Sequence, residues 1–322
     1  MSLLFRAVVL AAIASGATIL HAQSYPAKPI RIVVPYPPGG TSDILARLIG
    51  AKMTESWGQQ VVVESRPGAN GNIGAELVAR SAPDGYVTML GDIGTLTISP
   101  AIYPKLTFDP AKDFAPVTMV AYSPHILCVH PSVPVKTVKE LIALAKSRPG
   151  KLNYAAASLG GAPHLAGIEF ALRTGVSWEY IPYKGGAQAV AETVAGQSEV
   201  LFNGMLATYP HVKSGRLRLL AVSSGKRMSS IPDVPTVAES GLPGFETGSW
   251  QGVLAPPGTS RDIVAKLNGE IIRIVNAADM KEKLANQGAE VLTMTPEQFG
   301  DFIRKEKARW AKVVKDSGAK FD

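Results

Sequence analysis

Residues 30–50 combine a strand, a tight loop and a helix start, and this order constrains the fold more than any other feature. The run 30–34 is short and rich in β-branched residues, as expected of a strand buried on both faces of a parallel sheet. Two prolines and two glycines end the run, and the next residues, Thr41, Ser42 and Asp43, are types that cap helices. The stretch therefore predicts a strand that leads directly into a helix.

The loop between this strand and helix is a candidate anion site. Gly39 and Gly40 have no side chains, so the sequence predicts that their backbone N–H groups are uncovered. A helix N-terminus carries roughly half a positive charge and several unpaired donors. The alternative interpretation is an ordinary strand–helix turn capped by Ser or Thr.

The same strand–loop–helix order recurs along the chain. A second strand at 61–64 is followed by a glycine-rich loop and a helix from about Ile73, and residues 151–175 repeat the pattern with a helix from about Pro163. Strands that alternate with helices indicate an α/β fold with parallel sheets. Residues 114–134 contain two apolar runs broken by Pro124, which predicts a strand that crosses between domains.

Length and composition narrow the class of protein. A chain of 322 residues exceeds the usual size of one core, which predicts two domains. Arg6, an apolar run and a small-residue site ending at Ala22 predict a secretory signal peptide, with an uncleaved anchor as the alternative. The formal charge of +7 is spread along the chain, which does not indicate nucleic-acid binding. Cys128 is the only cysteine, so an internal disulfide is excluded.

Motifs of catalysis and metal binding are absent from the sequence. There is no G-x-S-x-G, HExxH or paired CxxC pattern, and His125 and His130 are expected on opposite faces of a strand. The loop 68–74 has the spacing GxxGxxG, whereas a dinucleotide-binding turn requires GxGxxG. We interpret this loop as a tight turn at Gly68 with close helix packing at Gly74. No enzyme activity, cofactor or metal is expected.

Two helix starts, one in each predicted domain, suggest a shared ligand site. If the domains face each other across a cleft, residues 39–43 and 158–163 can hold opposite ends of one small ligand through backbone N–H groups. A ligand with two carboxylates fits this arrangement. These loops contain no arginine, so binding is expected to depend on helix dipoles and neutral donors.

A series of motifs covers essentially the whole chain after residue 22. They are PYPPGGTSDILAR, VVESRPGANGNIGAE, APDGYVTML, FDPAKDFAPVT, LNYAAASLGGAPHL, IPYKGGAQA, RLRLLAVSS, PDVPTVAESGLPGFE, WQGVLAPPGT and VVKDSGAKFD. Each is weak alone, but their joint order resembles the substrate-binding proteins of tripartite tricarboxylate transporters, also called Bug or TctC proteins. The resemblance implies an α/β, type II periplasmic-binding-protein-like fold, in which two lobes joined by a hinge close on a small ligand.

The resemblance also implies how the chain is divided. The predicted limits are a signal peptide at 1–22, a first lobe at 23–122, a second lobe at 123–225, and a second part of the first lobe with closing helices at 226–322.

The resemblance implies most of the candidate ligand-binding residues by position, and we add Ser42, Asp92, Thr95 and Asn203 as further candidates. In the first lobe the candidates are Tyr36, Pro38, Gly39, Gly40, Thr41, Ser42, Asp43, Asp92 and Thr95. In the second lobe they are Ala157, Ser158, Gly160, Gly161, His164 and Asn203. Tyr36 is expected to form an aromatic wall, or alternatively to pack on the domain surface. His164 is expected either to bind the ligand or only to cap and pack the helix start.

Some residues depart from the family pattern. The family more often has a small polar residue where Asp92 stands and an acid where Asn203 stands, and Ser158 with Gly161 suggests a shifted hydroxyl donor. Asp92 near the cleft would disfavour a highly charged tricarboxylate and could receive an amine, whereas a surface location is the alternative.

The resemblance implies a monomeric periplasmic receptor. We expect it to capture a mono- or dicarboxylate, an amino acid or an aromatic acid and to deliver it to the permease subunits of a tripartite tricarboxylate transporter. The alternatives are an exported sensor that docks on a signalling partner, and an exported α/β enzyme that acts on an acidic substrate. The sequence offers no nucleophile–base pair for such an enzyme.

Overall fold

The computed structural model describes residues 25–317. The predicted signal peptide at 1–22 lies outside these described residues. Within them, no helix combines the length and the apolar character that crossing a bilayer requires.

Strands and helices alternate through most of the described chain. The first part contains β1 (Ile30–Val34), α1 (Thr41–Trp57), β2 (Val61–Ser65), α2 (Asn72–Ala79), β3 (Val87–Asp92) and α3 (Ser99–Ile102). The middle contains β4 (Ala115–Val129), α4 (Val138–Ser147), β5 (Asn153–Ala157), α5 (Ala162–Thr174), β6 (Glu179–Tyr183), α6 (Gly186–Val194), β7 (Val200–Gly204), α7 (Met205–Lys213) and β8 (Arg218–Val222). The last part contains β9 (Gly248–Ala255), α8 (Arg261–Asn276), α9 (Ala278–Asn286), β10 (Glu290–Val291) and α10 (Pro296–Ser317).

One continuous sheet runs through both lobes in the order β2-β1-β3-β9-β4-β7-β5-β6, and β8 and β10 also pair with β4. In the first lobe, β1 lies parallel to β2 and β3. In the second lobe, β5 lies parallel to β6 and β7. The two parallel sets confirm the predicted α/β units, and each set carries helices that cover its faces.

The strand β4 joins the lobes, as the two apolar runs around Pro124 predict. Up to Pro124 it pairs with β9, and from His125 onward it pairs with β7. Its first half therefore belongs to the sheet of the first lobe and its second half to that of the second lobe.

Each lobe has hydrophobic cores on both faces of its sheet. Ile32 and Val33 are successive residues of β1 that belong to different buried clusters, as do Ile126 and Leu127 of β4. Successive side chains of a strand point to opposite faces, so each sheet is covered on both sides. This burial explains why the strands are continuous apolar runs in the sequence.

The packing of residues 226–247 bears on where the second lobe ends. Val237, Leu242 and Phe245 lie in the same buried cluster as the core of the second lobe. We therefore propose that this segment belongs to the second lobe, although residues 226–322 were predicted to return to the first. The other predicted lobe limits stay proposals.

His125 lies at the point where β4 changes from one lobe to the other. It is fully buried, and its ring nitrogens lie 3.2 Å from Thr247 Oγ1 and 3.1 Å from Ser249 Oγ. Burial lowers the pKa of His125 to about 3, so this imidazole is neutral in the folded protein at physiological pH.

Acidification is expected to destabilise the protein through this histidine. Below pH 6.5 the unfolded chain binds a proton at His125 that the folded chain does not bind, so the free energy of unfolding falls as pH decreases. The loss amounts to about 2 kcal/mol at pH 5. Urea unfolding at pH 7.5 and pH 5 should show a smaller loss for His125→Gln, which keeps hydrogen-bonding groups but does not titrate. An equal loss in both proteins would contradict this assignment.

Candidate functional site

The first predicted loop positions the N-terminus of α1. Gly40 is the N-cap residue, with φ −80° and ψ 172°, and no side chain caps this helix. The prediction that the Gly39 N–H is uncovered is wrong, because it donates to Asp43 Oδ2 at 2.9 Å. Asp43 also forms an ion pair with Arg47 at 2.9 Å. Asp43 therefore holds the loop in shape, and the uncapped donors begin with the first turn of α1.

The second predicted loop positions the N-terminus of α5 in the same way. Gly161 is the N-cap residue, Pro163 lies in the first turn, and no side chain caps the helix. Ser158 adopts a left-handed conformation with φ 54°, and the Gly161 N–H turns back to the Ser158 carbonyl at 2.7 Å. The two predicted loops, one in each lobe, thus each present an uncapped helix N-terminus.

His164 supports the second loop from behind. Its Nδ1 accepts a hydrogen bond from the Gly160 N–H at 2.9 Å, and its ring packs edge-on against Tyr180. Burial lowers the pKa of His164 to about 4, so the ring is neutral at pH 7. These contacts fit the alternative in which His164 caps and packs the helix start.

The two helix N-termini meet at one cleft with a volume of about 580 Å³ including its open mouth. The predicted residues that line it from the first lobe are Tyr36, Gly40, Thr41, Ser42 and Asp92. Those that line it from the second lobe are Ala157, Ser158, Gly161 and Asn203. The predicted residues that do not line it are Pro38, Gly39, Asp43, Thr95, Gly160 and His164.

Asp92 is placed in the cleft, so the surface alternative is wrong for this residue. Its Oδ1 accepts hydrogen bonds from the Tyr36 hydroxyl at 2.7 Å and from the Thr95 N–H at 3.1 Å. Burial nevertheless raises the pKa of Asp92 to about 6, although these hydrogen bonds act in the opposite direction. The carboxylate is therefore mostly ionised at pH 7, but its hydrogen bonds do not fully offset the cost of burying its negative charge.

Tyr36 and Thr95 belong to the same hydrogen-bond network. Tyr36 Oη lies 3.0 Å from Thr95 Oγ1, and Thr95 Oγ1 donates to the Asn70 carbonyl at 3.1 Å. Thr95 is fully buried behind the cleft, whereas Tyr36 forms part of its wall. Thr95 thus orients residues that face the cleft without facing it itself.

Asn203 lies at the end of β7 and is 4% exposed. Its amide Nδ2 donates to Thr208 Oγ1 at 2.9 Å, which fixes the orientation of the side chain. The residue lines the cleft next to Gly186 and Gly204. A Cβ on Gly186 would lie 2.6 Å from Asn203 Oδ1, so glycine is required for this close approach.

Sequence reasoning missed several residues of the cleft, above all Asn70 and Gln251. Asn70 belongs to the loop that we interpreted as a structural turn, and Gly74 does pack closely there, with its Cβ position 2.9 Å from the Arg66 carbonyl oxygen. Asn70 has a left-handed φ of 52°, a conformation that Asn tolerates better than most residues. An Asn within this glycine-rich loop was therefore the one local sign in the sequence of its unusual backbone. Gln251 reaches the cleft because β9 pairs with β3 and sets it opposite Asp92.

Among the described residues that line the cleft, none is Lys, Arg or His. The described part of the chain also contains no group of three or more His, Cys, Asp or Glu residues that could hold a metal ion. Binding of an anion in this cleft would therefore depend on helix dipoles, backbone N–H groups and hydroxyls.

Comparison with known proteins identifies related chains. The model of the tripartite tricarboxylate transporter family receptor, TctC, matches residues 45–319. The periplasmic binding protein BugD superposes with a TM-score of 0.88 at 34% identity, over 92% of this chain and 99% of BugD. This similarity confirms the predicted two-lobe fold of periplasmic binding proteins.

Two further solved structures contain ligands. Rpa4515 of R. palustris with adipate has a TM-score of 0.89 at 38% identity, and the match covers 91% of this chain and 98% of that one. MatC of Rhodopseudomonas palustris with bound malate has a TM-score of 0.85 at 33% identity, and the match covers 90% of this chain and 100% of that one.

Proposed function

This chain belongs to the tripartite tricarboxylate transporter receptor family, and we propose that it captures a small carboxylic acid between its lobes and delivers it to permease subunits in the membrane. The family and its structural neighbours are periplasmic solute-binding proteins rather than enzymes. We further propose that residues 1–22 direct export to the periplasm and that the receptor is a monomer.

One observation carries the proposal: an uncapped helix N-terminus from each lobe borders the same cleft. Each N-terminus offers several backbone donors and a favourable dipole for an anion. Adipate and malate, the acids in two related structures, each carry two carboxylates. A dicarboxylate can therefore use both helix starts at once.

Lobe closure follows from this division of contacts. A ligand held from both sides interacts fully only when the lobes are closed, so binding shifts the population toward the closed state. Because no described side chain of Lys, Arg or His lines the cleft, a third ligand carboxylate would find no cationic partner there. We therefore expect mono- and dicarboxylates to bind better than tricarboxylates.

A thermal-shift panel tests the proposed binding function. Protein stripped of bound ligand by unfolding and refolding is mixed with mono-, di- and tricarboxylates, amino acids and aromatic acids. An acid at a hundredfold excess over its dissociation constant should stabilise the fold by about 2.7 kcal/mol. Absence of stabilisation by every acid would contradict the proposed function. Uptake of the best ligand into vesicles that contain the permease subunits, with and without the receptor, tests delivery.

A further inference from the structure

Three oxygen atoms converge beside Gly94 in the wall of the cleft. The position of a Cβ on Gly94 would lie 2.8 Å from Tyr36 Oη, 3.3 Å from Asn70 Oδ1 and 3.3 Å from Asp92 Oδ1. All four residues line the cleft. We call these atoms the oxygen cluster, and residue 94 is a glycine because a Cβ there would collide with Tyr36 Oη.

The oxygen cluster has an unsatisfied acceptor. Asn70 is 8% exposed, and its Nδ2 donates to Ser99 Oγ at 3.2 Å, which turns Oδ1 toward Gly94. Asn70 Oδ1 is buried and has no hydrogen-bond partner in the structure. A buried carbonyl oxygen without a donor costs folding free energy, so a ligand that supplies a donor at this point is favoured.

A second unsatisfied acceptor belongs to the same side of the cleft. Gln251 is 1% exposed, lines the cleft, and has a buried Oε1 without a partner. It pairs with Asp92 across β3 and β9, which makes the two residues neighbours in the sheet. Two unpartnered oxygens therefore accompany the Asp92 carboxylate.

Charge selects the kind of donor. Asp92 is the one charged side chain among the described residues that line the cleft. The Tyr36 hydroxyl already donates its proton to Asp92 Oδ1, so the cluster as a whole accepts hydrogen bonds. An ammonium group supplies several donors and a positive charge, whereas a hydroxyl supplies one donor and no charge.

We propose that the oxygen cluster is a subsite for the ammonium group of the ligand, and that the receptor selects amino-substituted carboxylic acids over their unsubstituted counterparts. This inference rests on the proposed function, because the carboxylates of the same ligand are assigned to the helix starts. Asn70, Asp92 and Gln251 are then the residues that determine specificity.

Calorimetric titration with matched acids tests the selection. The series are succinate, malate and aspartate; glutarate, 2-hydroxyglutarate and glutamate; and adipate with 2-aminoadipate. In the series that binds most tightly, the amino acid should bind about tenfold or more tightly than the unsubstituted acid. Equal or tighter binding of the unsubstituted or hydroxy acid would overturn the ammonium subsite and leave the proposed function standing. Absence of binding by every acid would overturn both.

Variants separate recognition from a merely structural role. Asp92→Asn should remove most of the preference for the amino acid while the unsubstituted acid keeps its affinity. Asn70→Asp, which offers only acceptors, should preserve or increase that preference. The control Asp301→Asn, which loses the same charge at an exposed position on α10, should change neither affinity. An Asp92→Asn protein that loses affinity for both acids equally would overturn the assignment.

Discussion

A Gly40→Val receptor is expected to lose about a hundredfold or more of its affinity for its acid ligand while it keeps its fold. Gly40 is the N-cap residue of α1, with a φ of −80° that valine also adopts. A Cβ there would meet nothing closer than the Pro37 carbonyl oxygen at 3.8 Å, so the surrounding structure accommodates it. Because Gly40 lines the cleft, the added isopropyl group would take the place of ligand beside the uncapped first turn of the helix.

The physical basis of this loss is the removal of hydrogen bonds to a charged group. Each such bond contributes about 1.5–3 kcal/mol, and loss of two would account for the expected effect. Affinity is measured by calorimetric titration, and the thermal midpoint of ligand-free protein reports the fold. The control is Gly269→Val on α8, where a Cβ would meet no atom of another element within 4 Å and the residue does not line the cleft. Wild-type affinity in Gly40→Val would refute the role of this loop.

Replacement of Phe299 by Ala is expected to destabilise the folded protein by about 3–5 kcal/mol. Phe299 of α10 is fully buried, and its ring meets Trp250 edge to face with 5.8 Å between the ring centres. The ring lies so close over β9 that a Cβ on Gly252 would overlap Phe299 Cζ. Loss of the ring would leave a cavity between α10 and β9.

Guanidinium unfolding measures this loss, and two further variants test its cause. Phe302 also packs against Trp250 but is only half-buried, so Phe302→Ala should cost less. Gly252→Ala should destabilise the wild type, where it clashes with Phe299, but should be close to neutral in the Phe299→Ala background, because the methyl group enters the vacated space. Equal losses for the two phenylalanines would contradict the cavity explanation.

The local parts of the site could be predicted because they depend on short-range chemistry. Pro and Gly end β1 at the point where α1 begins, and the same order of residues leads from β5 to α5. Both helix starts, and the crossing of β4 near Pro124, were therefore readable from residue types and their spacing. The lack of a cationic residue in the two loops was readable in the same way. The other described residues that line the cleft also include no Lys, Arg or His.

Some roles within those loops depended on side-chain geometry. Asp43 was predicted as a ligand-binding residue, but its carboxylate accepts the Gly39 N–H and pairs with Arg47. Residue type alone does not distinguish an acid that faces a ligand from one that closes its own loop, because both uses favour Asp at the first turn of a helix.

The sequence by itself determined the α/β class and the two helix starts, since each depends on patterns within a few tens of residues. The two-lobe fold was implied by the resemblance to a family, which depends on the joint order of motifs along the whole chain. Only the tertiary structure placed Gln251 opposite Asp92, because the pairing of β9 with β3 joins residues far apart in the chain. It also brought Asn70 to the same wall of the cleft. The register between distant strands is set by packing of the whole sheet, so it cannot be predicted from a local sequence pattern. The helix starts suit an acid, and the oxygen cluster that we propose as the selective element exists only in the folded chain.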